Sequence, residues 1–265
     1  MPISRLKINQ LRNLQSIDLE FSPKLNLLFG PNGAGKTSLL EAISVLAHGR
    51  SFRTVNYRQL VQHECDDFAI FAEVDDAKGI TSRIGVHRPM RGQSVFKVDG
   101  SPIYSSATLA ALLPLQVINA QSFDLLEGPA KVRRRMFDWL VFHVKHSFSD
   151  LWRDYTRAVK QRNTLLRRDK ISRSELHPWD IELNRLAVAI DALRAECFEQ
   201  FTPAVAELLA EAGLPDDIDI QFHYERGWSE EFGTLSQALD AAFERDKKYK
   251  YTTVGAHKSL SLIHI

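Results

Sequence analysis

Gly30, Gly35, Lys36 and Thr37 fall in the spacing G-x-x-x-x-G-K-[ST], and no other stretch constrains this chain so strongly. A pattern this short can arise by chance, so its flanks decide its meaning. Leu25, Leu27, Leu28 and Phe29 precede it as an apolar run suited to a buried parallel strand. Leu39, Leu40, Ile43, Leu46 and Ala47 follow at helical spacing, and Gly49 offers a C-terminal stop. Strand, glycine loop and helix in that order predict a triphosphate-binding loop of Gly30, Pro31, Asn32, Gly33, Ala34, Gly35, Lys36 and Thr37. The glycines let backbone N–H groups turn inward as an anion nest at the positive end of a helix. Lys36 is expected to reach the β- and γ-phosphates, and the Thr37 hydroxyl to ligate Mg²⁺.

With 265 residues the chain has room for one large domain or two modest ones. Cys65 and Cys197 lie far apart without metal-ligand spacing, which suits a reducing compartment. No signal-peptide core opens the chain and no apolar run reaches membrane-spanning length, so the expected location is cytoplasmic. The net charge is only +1, so affinity for nucleic acid has to come from local charge.

Residues 3–9 and 16–22 read as strands, and stretches at 68–74, 80–87 and 94–98 read as an antiparallel meander with a turn at Asp99-Gly100. Phe68 to Asp76 imitates an apolar strand ending in Mg²⁺-binding acids. Glu73 and the strict alternation assign it instead to an edge or meander strand. From about 128 to 212 the period is helical. Phe137, Leu140, Val141 and Val144 mark one helix, and Trp152, Tyr155, Val159 and Leu166 a second, with Ser149 as a candidate cap. Trp179, Leu183, Leu186, Ile190 and Leu193 mark a third, with Pro203 breaking the run before 205–212. The second and third form a hairpin joined near 169–178. Residues 218–224 return to strand and 235–249 to helix. Leu235-Ser236-Gln237-Ala238 lacks the glycines of an ABC signature.

Between 131 and 173 thirteen Lys and Arg stand against Asp138, Asp150, Asp154 and Asp169, a local net of +9. Arg153, Arg157, Lys160 and Arg167 share one helical face, which is either a solvated surface or a polyanion-binding surface directed at backbone phosphate. Arg12, upstream of the glycine loop, is either a phosphate contact or a surface arginine in a turn.

Six motifs together resemble the RecF family, bacterial recombination-mediator ATPases related to the chromosome-maintenance ATPases. They are the glycine loop with Leu-Arg-Asn upstream, Gly-Arg-Ser-Phe-Arg-Thr (49–54), the arginine-rich stretch from Gly128 to Trp139, Lys-Gln-Arg-Asn (160–163), Pro-Trp-Asp (178–180) and Gly-Ala-His-Lys (255–258). The resemblance implies an α/β fold, a P-loop ABC-type ATPase head of mixed sheet plus antiparallel meander, with an inserted helical lobe. It implies an ATP-binding lobe over 1–120, a helical lobe with a basic face over 121–215, and a return to the ATPase lobe over 216–258. It also implies ATP and Mg²⁺ as cofactors and an ATP-dependent homodimer. DNA that is single-stranded, gapped or at a junction is the implied substrate, with RecO and RecR as partners that load RecA in gap repair, replication restart and SOS induction. Gln121 sits where related ATPases carry a Mg²⁺-sensing glutamine; the other reading is a buried amide in a strand-end turn.

The family continues for roughly another hundred residues through Ser-x-Gly-Gln and an acid-tipped strand, and neither occurs here. Hydrolysis, a weak DNA-stimulated activity in the intact family, is therefore not expected to be completed. Residues 259–265 read as a non-native tail, because Leu260 to Ile265 matches the translation of a transposon end used to prepare sequencing libraries. A P-loop small-molecule phosphotransferase and an ABC transport ATPase are the competing functional classes.

Overall fold

A computed structural model describes residues 2–76, 78–168, 170–213 and 220–264. It resolves into two compact units, residues 1–118 and 119–265.

The first unit opens with a hairpin, Ile3–Leu11 (β1) and Leu14–Glu20 (β2), in which Leu11 faces Leu14 across the two-residue turn Arg12-Asn13. Arg12 takes a positive φ of 55° there. After the glycine loop comes Lys36–His48 (α1), then Asp67–Asp75 (β3), Thr81–Pro89 (β4), Val95–Val98 (β5), Ser101–Ile103 (β6) and Ser106–Leu112 (α2). The six strands form one antiparallel sheet in the order β2-β1-β3-β4-β5-β6. Alternation fixes its faces: Phe68, Ile70, Ala72 and Val74 of β3 turn inward with Leu6 and Ile8 of β1 and Ile84 and Val86 of β4. Leu39, Ala42, Val45 and Leu46 of α1 enter the same core. Each of the larger side chains contributes about 1.5–3 kcal/mol by leaving water. The helix stops where expected, at Gly49 (φ 67°), whose N–H donates to the Val45 carbonyl.

One expected strand of this unit does not form. Residues 25–29 are not a strand; Leu25, Leu27 and Phe29 are 71%, 78% and 93% exposed. A buried parallel strand needs ladder neighbours, and among the described residues every strand pair is antiparallel and none reaches this run. The segment is instead pinned locally, with Ser22 N donating to Asn26 Oδ1 and Asn26 Nδ2 to the Ser22 carbonyl. The acid-tipped stretch 68–76 is a meander strand, as its alternation required, but lies inside the sheet between β1 and β4. Its terminal acids serve turns: Asp75 accepts from Thr81 Oγ1, and Asp76 from the backbone of Lys78 and Ile80.

The second unit contains Ala130–Val144 (α3), Phe148–Leu166 (α4), Arg173–Glu211 (α5), Gln221–Glu225 (β7), Leu235–Ala241 (α6), Phe243–Tyr249 (α7) and Leu260–His264 (β8). Phe137, Val141, Tyr155, Leu183, Leu186 and Ile190 form its core with Leu235 and Leu239 of α6. The α4–α5 hairpin follows the pattern of its apolar residues. Ser149, read as a cap, lies inside the first turn of α4, which starts one residue earlier behind Ser147. Pro203 does not break α5; the helix runs through it to Glu211. A proline forfeits one backbone bond and crowds one carbonyl, and Leu183, Leu186 and Ile190, buried earlier in the same helix, already hold it in place. Position 169 of the expected interhelical joint, the start of the 218–224 strand (218 and 219) and Ile265 of the expected tail lie outside the described residues. The helix read over 235–249 is divided at Ala242. The stretch 216–258 was expected to return to the first lobe, yet its described core residues, Trp228, Leu235, Ala238, Leu239 and Ala256, pack with the helices of the second unit.

Candidate nucleotide site and basic surface

The glycine loop and the start of α1 enclose a pocket of about 440 Å³ lined by Asn32 to Ser38 together with Asn13 and Arg53. Gly33 (φ 85°) and Gly35 (φ 95°) bend the chain through the left-handed region that side chains disfavour. At Gly35 a Cβ would also sit 2.4 Å from Leu14 Cδ2, so the loop is packed directly on the β1–β2 hairpin. Lys36 Nζ donates to the carbonyls of Gly30 (2.7 Å) and Pro31 (2.9 Å), which holds its ammonium across the mouth of the bend. Thr37, the expected magnesium ligand, lines the same pocket. The chemistry of these donors fits a Mg-triphosphate: amides and an ammonium for anionic oxygens, a hydroxyl for the metal, and no carboxylate in the lining to repel the charge.

Asn13, Ser38 and Arg53, which sequence reasoning left without roles, line this pocket, and Glu41 and Ser51 stand behind them. Asn13 Nδ2 donates to the Gly33 carbonyl (2.6 Å) while its Oδ1 accepts from Ser38 Oγ (2.8 Å), clamping loop to helix. Glu41, fully buried on α1, accepts from Arg12 Nε (3.1 Å) and Nη2 (2.9 Å) and from Ser51 Oγ (2.6 Å). Arg53 Nη1 reaches the same carboxylate at 3.4 Å while its half-exposed side chain lines the pocket. Burial opposes ionisation of Glu41, but the hydrogen bonds from Arg12 and Ser51 and the charges of Arg12 and Arg53 hold it below the usual carboxylate range. Arg12 is thereby committed to Glu41 and is not in the pocket lining, whereas Arg53 is. The available signal was a charged residue, Glu41, in register with Ser38, Ala42 and Val45 on the buried face of α1.

Gln121 is exposed in a short 3-10 turn, Ala120–Leu125, of the second unit. It is not a buried amide.

Arg153, Arg157, Lys160 and Arg167 are all exposed on or just beyond α4. The local excess of +9 is nevertheless smaller in space than along the chain. Arg162 is fully buried between Asp180 (2.6 Å) and Asp246 (2.6 Å). Lys145 pairs with Glu196, Arg168 with Glu175 and Arg173 with Asp240, acids outside the counted stretch. Arg153 bonds Asp150 at 2.8 Å and approaches Asp154, which also faces Arg157 at 3.9 Å. Lys160 and Arg167 carry no ion pair among the described residues.

The short motifs of the second unit meet in one buried network. Arg162, between Asp180 and Asp246, also donates to Thr252 Oγ1 at 3.1 Å. Asn163 Oδ1 accepts from Thr252 N and Oγ1, and the Tyr155 hydroxyl lies 2.9 Å from His257 Nδ1. Because His257 Nε2 faces the Thr252 carbonyl at 3.0 Å, it carries the proton, and Nδ1 accepts from Tyr155. Arg194 ties Asp138 to the Ala256 carbonyl. Lys-Gln-Arg-Asn, Pro-Trp-Asp and Gly-Ala-His-Lys therefore act together as scaffold.

The family model for the RecF/RecN/SMC N terminal domain matches residues 2–239. A protein of Saccharophagus degradans named DNA replication and repair protein RecF is 49% identical over 257 residues, covering 97% of this chain and 70% of that relative. Its namesake from Vibrio vulnificus is 41% identical, over 98% and 71%. Among solved structures, the recombination mediator protein RecF-ATP in the RecFOR pathway superposes with a TM-score of 0.87 at 23% identity, covering 100% of this chain and 73% of that one. The ATPrS form gives 0.85. The fold is thus that of a P-loop ATPase head of the RecF and SMC kind, and the chain belongs to the RecF family of DNA replication and repair proteins.

Proposed function

We propose that this chain binds ATP with Mg²⁺ through Gly30 to Thr37 and acts on DNA as a recombination mediator, with RecO and RecR as partners and an ATP-dependent homodimer as the working form. The observation that carries the reading is the glycine bend at the N-terminus of α1, crossed by the Lys36 ammonium and walled by Asn13 and Arg53 in a pocket of about 440 Å³. Helix-end amides and a fixed cation favour phosphate over a neutral ligand. Thr37 would hold magnesium through its hydroxyl, and the ion would screen the phosphate charge. Relatives named RecF and solved RecF complexes with ATP support the choice of nucleotide.

Two measurements test the reading. Lys36→Ala should abolish binding of a fluorescent ATP analogue and leave the unfolding transition unchanged; undiminished binding rules out the loop. For the DNA surface, Lys160→Glu with Arg167→Glu should weaken binding to gapped DNA and flatten its salt dependence by about two ions. The paired Arg153 and Arg157 should matter less, since Asp150 and Asp154 already occupy part of their charge. Unchanged affinity and salt slope in the double variant would remove α4 from the interface.

A further inference from the structure

We propose that Tyr249 and Tyr251 form a stacking platform for unpaired bases of single-stranded nucleic acid, with Arg245, Lys247, Lys248, Lys250 and Lys258 as its phosphate-holding rim. The inference rests on the reading that the chain acts on DNA and adds a site separate from α4. At the end of α7, Lys250 adopts a left-handed conformation (φ 61°) that reverses the chain and sets the two tyrosines side by side. Their ring centroids lie 6.0 Å apart with a 34° tilt. Both rings face solvent, 53% and 44% exposed, although tyrosine usually buries its apolar body. Lys248 Nζ sits 5.8 Å from the Tyr249 ring and Lys258 Nζ 5.2 Å from that of Tyr251. Ammonium groups are thus held next to the aromatic faces.

The platform is rigid because its base belongs to the buried network. Thr252 and Thr253, directly after Tyr251, are bonded through backbone N and Oγ1 to Asn163 and Asp246 respectively. Arg245 Nε donates to Thr253 Oγ1 at 2.9 Å. Between 244 and 258 stand five Lys or Arg and two acids, and one of the acids, Asp246, is buried against Arg162. What reaches solvent is strongly cationic and aromatic together. Duplex bases keep their faces stacked inside the helix, so flat exposed rings can meet only unpaired bases; exposed cations alone would accept either form.

The test is fluorescence anisotropy of the intact chain with a thymidine oligonucleotide, an abasic single strand of equal length and a duplex. Tyr249→Ala with Tyr251→Ala should weaken thymidine binding at least tenfold while leaving abasic and duplex binding within twofold. The double Phe variant, which keeps the rings, should retain wild-type affinity. Lys247→Ala with Lys248→Ala should instead weaken all three and lower the salt slope by about 1.5. Equal thymidine binding by the Ala variant overturns the platform and leaves the α4 reading intact, as does an equal loss on the abasic strand. If the wild-type chain binds none of the three, the DNA reading falls with it, whereas ATP binding through Lys36 is judged separately.

Discussion

Removing the Arg162 guanidinium should destabilise the second unit severely, and in a pH-dependent way. Arg162 is fully buried, as is Asp246, and Asp180 is only 17% exposed. Arg162→Ala therefore leaves two carboxylates in a low-dielectric interior without their cation, a loss of about 3–5 kcal/mol. Asp180 already illustrates the tension: burial pushes its carboxyl up, Arg162 pulls it down, and Asp246 pushes it up again, with a net rise. Without the arginine Asp180 loses the cation that pulls its carboxyl down, so the penalty should be greatest near pH 8 and shrink below about pH 5. Urea unfolding followed by tryptophan fluorescence isolates the effect. All four tryptophans, 139, 152, 179 and 228, lie in the second unit, so the first unit is silent in this signal. With an m-value of about 2–3 kcal/mol/M for a unit of this size, the midpoint should fall by about 1–2 M at unchanged m. Arg153→Ala, which breaks only exposed pairs, is the control and should cost less than about 1 kcal/mol. A loss below about 1 kcal/mol for Arg162→Ala, or a loss that does not vary with pH, would refute the argument.

Three further outcomes follow from single sites. His257 is pushed down to about 4, first by burial and then by Lys258 and Arg134, against the Thr252 carbonyl bond. Its folded pKa lies below the unfolded value near 6.5, so the unfolded chain takes up the proton first. That contribution is complete above about pH 6.5 and is lost as pH falls toward 4, by about 3 kcal/mol. His257→Asn should flatten the stability curve in that window; an unchanged slope would assign it elsewhere. Gly35→Ala should lower both ATP affinity and the stability of the first unit, by about 1–3 kcal/mol, because the added methyl meets Leu14 and the φ of 95° strains it; near-neutral behaviour in both assays would contradict the close hairpin–loop packing. Glu41→Gln keeps shape but removes charge beside Arg12 and Arg53. It should weaken ATP binding several-fold with a smaller effect than Glu41→Ala, and identical affinities for both variants and wild type would deny Glu41 a positioning role.

Period and spacing were enough to define much of this protein. Glycine positions 30, 33 and 35 specify the tight bend at the head of α1 on local backbone grounds. Alternation at 68–74 and helical spacing at 137–144, 152–166 and 183–193 specify element type, because burying one face of each element requires those periods. The family, too, was legible from six motifs in order.

What the chain order could not show is which distant groups meet. Asn13 clamps the glycine loop, Arg12 turns to Glu41 while Arg53 enters the pocket, and Arg162 leaves the basic face for Asp180 and Asp246. Each outcome turns on a partner 12 to 84 residues away in sequence. Residues 25–29 fail as a strand for the same reason: apolar composition prepares a segment for a sheet, but only a neighbouring backbone at hydrogen-bonding distance makes it one. Local patterning selects helices, turns and the glycine bend; long-range pairing of charge and backbone decides which residues line the pocket and which hold the scaffold.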